Sequence, residues 1–320
     1  MLTRASSTLK PILWQCFNRH QQGALPNIAL VGSRRSGSTL LMQMIAQNAG
    51  VKYVDQPFSP FVVLDQARRR HPVLANGPMI APNASQQENL DQYIKDIIEG
   101  FHVNEPWKLW SKEFKFRSDR LVFKTTAAQF LLDLLVQNQF QVILYFRHPI
   151  AQALSCMRND WGDKLQYFQS SDRFKQEFLT REQGLLLQEI CRSGSDLQKY
   201  VLSWCCENLP LWDEQHANTP SIFYEDLVAE RAKIVKLLAV ECQLAQVDEM
   251  YIAAGQASAS VKSLSAKGTR SLISQGNAEK LIYGWQQSVT GEASVQVQNI
   301  LDHFPGCPYR AGDALPRKGD

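Results

Sequence analysis

IALVGSRRSGSTLLMQM, residues 28–44, decides the fold. With Asn27 it opens as a short apolar run ending at Gly32, which suits a buried strand. From Ser38 onward, apolar residues recur at Leu41, Met44, Ile45 and Ala49, and Gly50 follows them. That is helical spacing with a glycine stop. Between strand and helix lies Gly32-Ser33-Arg34-Arg35-Ser36-Gly37. A glycine turn in that place aims several backbone N–H groups at one point, and the helix dipole adds partial positive charge. Together they form an anion site. Loops of this kind that hold nucleoside triphosphates carry Lys before the final Ser or Thr. Here Ser38 holds that place before Thr39, and Arg34 and Arg35 supply charge as planar forks suited to a tetrahedral oxyanion. No acidic partner for magnesium is obvious at a strand end, so the triphosphate reading is weakened. A tight turn with glycines for geometry alone is the plainer alternative.

Working outward, VKYV (51–54), RLVFKTT (120–126), QVILYF (141–146) and the start of SIFYEDL (221–227) read as further short strands. Helical patterns cover about 86–100, 127–139, 149–159, 172–191, 195–216, 226–241, 245–255 and 290–303, with Pro149 in a first turn and Pro210 as a kink. Strands alternating with helices predict an α/β protein: a three-layer, P-loop-like fold with a central parallel sheet flanked by helices. Residues 1–26 read as an N-terminal arm, 27–304 as one domain and 305–320 as a polar tail. Within the domain, proline-rich 56–120 reads as an insertion on the substrate side and 256–283 as a mobile loop.

The chain has 320 residues and a formal net charge of +3, enough to bury a core and too little to imply a nucleic-acid surface. Its seven cysteines are odd in number and show no CxxC, which fits a reducing compartment better than a disulfide framework. The apolar run Pro11–Phe17 is too short to cross a bilayer, so a cytoplasmic protein without a transmembrane segment is expected. The histidines show no metal-ligand spacing.

A second segment, YFRHPIAQALSCMRN, puts Arg147 at the end of a buried strand and Ser155 eight residues on, about two turns into the helix that Pro149 opens. The two could share one phosphate, through a charge-assisted bond and a hydroxyl bond. Alone, an arginine at a strand end is often a solvated cap. The two segments in this order resemble the sulfotransferases that use 3′-phosphoadenosine-5′-phosphosulfate (PAPS), in the style of the carbohydrate-type and bacterial members. Arg35-Ser36-Gly37-Ser38-Thr39 match that family's 5′-phosphosulfate motif, with Arg34 beside it. Arg147, Pro149 and Ser155 match its 3′-phosphate motif in identity and spacing. FYEDL (223–227) and the stretch from Trp285 to Leu301 are weaker matches, so the resemblance spans about residues 27–304.

The resemblance implies in-line, metal-independent sulfuryl transfer from PAPS to a hydroxyl or amine, the acceptor being a small molecule or a glycan. It implies that Arg35 holds the phosphosulfate, that Lys124 bridges the sulfuryl group and the acceptor, and that Lys267 and Gly268 belong to a loop closing over the nucleotide. Two departures stand out. His148 follows Arg147 where the family often has Asp, and it reads as a helix-entry residue. Gln56-Pro57 stands where Glu-Pro is common, and an amide takes no proton at neutral pH, which leaves Asp55 as the candidate base. Lys124 reads equally as a solvated strand-end lysine, and Asp55 as a turn residue. Trp107 and Trp110 suit a sugar or aromatic acceptor, or the core. The rival readings are a P-loop small-molecule kinase and a catalytically silent nucleotide-binding scaffold.

Overall fold

A five-stranded, all-parallel sheet forms the centre of the molecule, in the order β3-β5-β2-β6-β7. Its strands are β2 (Ile28–Gly32), β3 (Val51–Asp55), β5 (Arg120–Thr125), β6 (Gln141–Phe146) and β7 (Ser221–Phe223). A separate two-residue parallel pair joins β1 (Arg19–His20) to β4 (Arg117–Ser118). The computed structural model describes residues 19–59, 61–63, 65–75, 80–100, 115, 117–126, 128–256, 258, 271–273 and 275–317.

The strands are short and apolar on both sides because both faces are covered. Side chains alternate across a strand, so Ala29 and Val31 enter one core while Ile28 and Leu30 enter the other. The Ile28 face packs against helix α1 (Ser38–Ile45) and the helices Arg231–Glu241 and Val247–Ala254. The Ala29 face packs against Ala84–Ile98, α2 (Pro149–Met157), α3 (Asp196–Asn208) and α4 (Gly291–Asp302). Each fully buried Val, Leu, Ile or Phe contributes about 1.5–3 kcal/mol, and the three-layer α/β architecture follows from covering both faces.

Gly32 ends β2 beside Tyr145 of β6. A Cβ there would lie 2.1 Å from the Tyr145 carbonyl oxygen, so only glycine lets the chain turn at this point. The Tyr145 hydroxyl donates to the Gly32 carbonyl at 3.0 Å and also bonds the Thr125 carbonyl. One buried phenol therefore ties the ends of three neighbouring strands together.

Several element boundaries differ from the sequence reading. The helical stretch 172–191 is two helices, Asp172–Phe178 and Arg181–Ser193, because Thr180 and Gln183 form a capping box that starts the second. Pro210 does not kink a long helix; α3 ends at Asn208 and a 3₁₀ turn, Leu209–Trp212, follows. The stretch 226–241 is likewise divided, into Tyr224–Ala229 and Arg231–Glu241. Arg117–Ser118 and the first residue of β5 fall inside 56–120, which also holds the helix Ala84–Ile98. The helix Ala278–Tyr283, capped by Asn277, lies within 256–283. Beyond residue 304, Tyr309, Ala311 and Ala314 are buried in the main core, so this stretch packs on the domain.

Candidate functional site

The carboxyl ends of parallel strands are where an α/β sheet opens a crevice, and the candidate residues gather there. The loop from Ser33 to Gly37 runs between β2 and α1. Arg35 (φ 66°) and Gly37 (φ 90°) are both left-handed. A left-handed arginine is uncommon, and such backbone strain concentrates at functional positions. Gly37 caps α1 with no side-chain hydrogen bond, and no acidic residue stands in the first turn. The first N–H groups of α1 therefore keep their positive end for an anion.

The two basic segments meet. Arg35 Nε donates to Ser155 Oγ at 2.9 Å. Arg147 Nη1 donates to the Arg35 carbonyl at 3.0 Å, and Gln152 Nε2 donates to the Arg34 carbonyl at 3.1 Å. The Arg147 guanidinium lies 4.2 Å from the centroid of the Tyr224 ring. Arg34 and Arg35 both approach the Trp161 ring, at 5.6 and 5.7 Å.

Arg35, Gly37, Arg147 and Ser155 line a cavity of ≈ 890 Å3 together with Tyr224 and Trp285. Its described lining also includes Arg158, Arg231 and Lys280, and no carboxylate. Burial, and then the neighbouring Arg147 charge, pull the Arg35 guanidinium below its ordinary value. Arg158 shifts the same way for the same two reasons. An anion among these arginines would relieve both effects. Ser36 Oγ and Arg147 Nε are buried without hydrogen-bond partners among the described residues. Unsatisfied buried donors of this kind fit a ligand with acceptor oxygens.

A second cluster stands on the next strands. Asp55 of β3 and Lys124 of β5 are direct neighbours in the parallel ladder. Lys124 Nζ lies 2.6 Å from Asp55 Oδ1 and donates to Thr39 Oγ1 at 3.4 Å. The lysine missing from the loop is thus supplied to its helix from an adjacent strand. Gln56 takes a left-handed turn (φ 50°), donates its N–H to the Lys124 carbonyl at 2.8 Å and accepts from Thr126 Oγ1 at 3.2 Å.

Beneath the loop, Ser33 Oγ donates to Glu207 Oε2 at 2.7 Å, and Asn208 Nδ2 donates to Ser33 Oγ at 3.0 Å. Lys164 forms a buried ion pair with Glu207. His148 is the N-cap of α2: its Nδ1 accepts from the Ile150 N–H at 3.2 Å, and its Nε2–H donates to the Arg310 carbonyl at 3.0 Å. Burial lowers the His148 imidazole to about 4, with the Arg147 charge acting in the same direction. In an unfolded chain it takes its proton near 6.5. Its contribution to stability, roughly 3 kcal/mol, is therefore whole above pH 6.5 and lost as pH falls toward 4. Glu225 acts in the opposite sense, since burial raises its carboxyl. We expect the His148 ring resonances in an NMR titration to move near pH 4; a midpoint at its unperturbed value would contradict this burial.

The sequence reading named Arg34, Arg35, Ser36, Gly37, Ser38, Thr39, Arg147 and Ser155 for the anion and Asp55 and Lys124 for the chemistry. Arg35, Arg147 and Ser155 meet at one cavity wall, and Asp55, Lys124 and Thr39 meet at the neighbouring strand ends. Arg34 lies against Trp161, and Ser38 is buried at the start of α1. Lys267, Gly268, Trp107 and Trp110 lie outside the described residues. Sequence reasoning missed Arg158, although Ala151, Ser155 and Arg158 have the spacing of one helix face. It also missed Trp161, Tyr224 and the Lys164–Glu207 pair, whose partners are distant in the chain.

No family model matches this chain, and no curated protein does. Several solved structures match. The sulfotransferase domain of the Synechococcus PCC 7002 olefin synthase has 15% identity and a TM-score of 0.44, over 90% of this chain and 98% of that one. Mouse sulfotransferase SULT7A1, complexed with PAP, has 14% identity and a TM-score of 0.44, over 88% and 86%. The sulfotransferase domain from the curacin biosynthetic pathway has 16% identity and a TM-score of 0.47, over 88% and 99%. Each is a sulfotransferase or a sulfotransferase domain. Among the described residues no helix is long and apolar enough to cross a membrane.

Proposed function

We propose that this chain is a sulfotransferase that moves a sulfuryl group from PAPS to a hydroxyl or amine of an acceptor. One observation carries the reading. Arg35 on the loop and Arg147 and Ser155 on the β6–α2 segment converge on one cavity whose described lining has no carboxylate. A donor with phosphates on the 5′ and 3′ positions of one ribose suits two basic grips of this kind. PAPS, when bound, supplies a sulfuryl group carried on its 5′-phosphate.

In this reading the α1 N-terminus, Ser36 and Arg35 hold the 5′ end and stabilise the charge that gathers on the leaving phosphate. Arg147 and Ser155 hold the 3′-phosphate. Leu272, Ile273 and Leu281 line the same cavity and offer an apolar surface against which a flat base would sit. Lys124 bridges Asp55 and Thr39, and in this reading Lys124 and Asp55 stand at the reacting end. Asp55 would take the proton from the acceptor oxygen or nitrogen as that atom bonds to sulfur. The bond from sulfur to the bridging phosphate oxygen breaks, and its electron pair leaves with the phosphate. Positioning and charge stabilisation do most of this work.

One observation favours a second reading. Lys124 beside Thr39 restores a lysine to the loop, as a kinase handling ATP and magnesium would require. Isothermal titration separates the two: we expect binding of PAP and no comparable binding of ATP–magnesium. Arg147→Ala should weaken PAP binding by roughly 1.5–3 kcal/mol, the worth of a hydrogen bond to a charged group. Unchanged PAP affinity in that variant would count decisively against the donor site. A sulfate-transfer assay across sugars, phenols and amines then distinguishes an enzyme from a silent nucleotide binder.

A further inference from the structure

Arg147 and Tyr224 are tied together from behind. The carboxylate of Glu225 is 2% exposed. Its Oε1 accepts the backbone N–H of His148, the residue after Arg147, at 3.0 Å. Its Oε2 accepts the hydroxyl of Tyr309 at 2.8 Å. Glu225 itself follows Tyr224, whose ring lies under the Arg147 guanidinium. One buried carboxylate therefore joins the backbone of both members of this cation–ring pair. A buried carboxylate without an ion-pair partner is costly to retain, and among the described residues Glu225 has none within ion-pair distance. Its hydrogen bonds are what keep it there.

The stretch after residue 304 completes the arrangement. Tyr309 is buried edge-on against His148 at 5.1 Å and Phe223 at 5.9 Å. The next residue, Arg310, presents its carbonyl to His148 Nε2. Trp285, which also lines the cavity, stacks on the His148 ring at 4.2 Å. The ends of β6 and β7 are thus held in register by a segment far away in the chain. None of these buried groups lines the cavity except Trp285.

We propose that the buried Tyr309–Glu225–His148 chain is a positioning element for Arg147 and Tyr224, through which the C-terminal segment sets affinity for the donor's 3′-phosphate. This rests on the donor-site reading of Arg147 given above. Tyr309 and Glu225 touch no donor atom in this arrangement. They act by holding the arginine and the ring in their paired geometry, as outer hydrogen-bond partners commonly hold ligating groups.

The test is isothermal titration of the full chain with PAP and with adenosine 5′-phosphate, which lacks the 3′-phosphate. Tyr309→Phe removes one hydroxyl and keeps the ring. We expect its PAP Kd to rise about tenfold, the equivalent of one hydrogen bond, while the Kd for adenosine 5′-phosphate is unchanged. A merely structural loss would weaken both nucleotides together or neither, and either result overturns the proposal. Glu225→Gln keeps both contacts, with the Tyr309 hydroxyl now accepting. It should stay within about threefold of the wild-type PAP Kd, and a tenfold loss there would show that charge and not position is at stake. If the wild-type chain binds no PAP, the donor reading fails first. If it binds PAP and Tyr309→Phe binds it equally well, only the positioning role fails.

Discussion

Asp55→Asn should lower the rate of sulfuryl transfer about 10²–10⁴-fold, the usual worth of a positioned general base, and leave PAP affinity within a factor of about two. The substitution keeps the shape of the side chain and removes its ability to take a proton. Asp55 is the carboxylate that the ladder sets directly beside Lys124, and Lys124 in turn reaches Thr39 at the start of α1. Gln56 stands next to it but is committed to Thr126 and to the turn. Lys124→Met should be comparably slow, because it removes the group that orients Asp55. The measurement is kcat in a sulfate-transfer assay, with PAP titration as the control on binding. An Asp55→Asn enzyme as fast as wild type would move the base elsewhere; an equal loss of PAP affinity would make Asp55 a structural residue.

Glu207→Ala should destabilise the fold by about 3–5 kcal/mol, the range for removing one partner of a buried ion pair. Glu207 serves three groups: it pairs with Lys164, accepts from Ser33 Oγ, and through Ser33 is linked to Asn208. Burial pulls the Lys164 ammonium below its ordinary value, the nearby Arg34 charge acts in the same direction, and the Glu207 charge is the largest opposing influence. Alanine would leave that ammonium buried without its partner and the Ser33 hydroxyl proton without its acceptor beneath the glycine loop. Urea unfolding, extrapolated linearly to water, reads the loss. The double variant Lys164→Met, Glu207→Leu should recover most of it, since apolar replacement of a buried pair is often neutral. A single-variant loss under about 1 kcal/mol would mean that water reaches the pair, and would remove it as a support of the loop.

Much of the site was legible because its signals are local. Gly32, Gly37 and the apolar spacing through Ile45 announce strand, turn and helix within one short stretch. Pro149 marks the first turn of α2, and the spacing from Arg147 to Ser155 carries them to the same wall. The capping box at Thr180–Gln183 was equally local; it was overrun by a helical pattern that continues on both sides of it. Tyr309 gave no such signal. A tyrosine among prolines, glycines and charges reads as a tail, and only its hydroxyl bond to Glu225 reveals it as core.

By itself, then, the sequence determined the alternation of strands and helices, the glycine loop between β2 and α1 and the two basic segments, since each depends on backbone preferences and side-chain periods spanning a few residues. Only the tertiary structure decided the strand order β3-β5-β2-β6-β7, and with it everything that strand order brings together. Asp55 meets Lys124 because β3 pairs with β5, Ser33 meets Glu207 because α3 packs behind the loop, and His148 meets Tyr309 because the last residues return to the end of β6. Such contacts form when two apolar faces distant in the chain are buried together, and no local pattern of residues encodes which faces those will be.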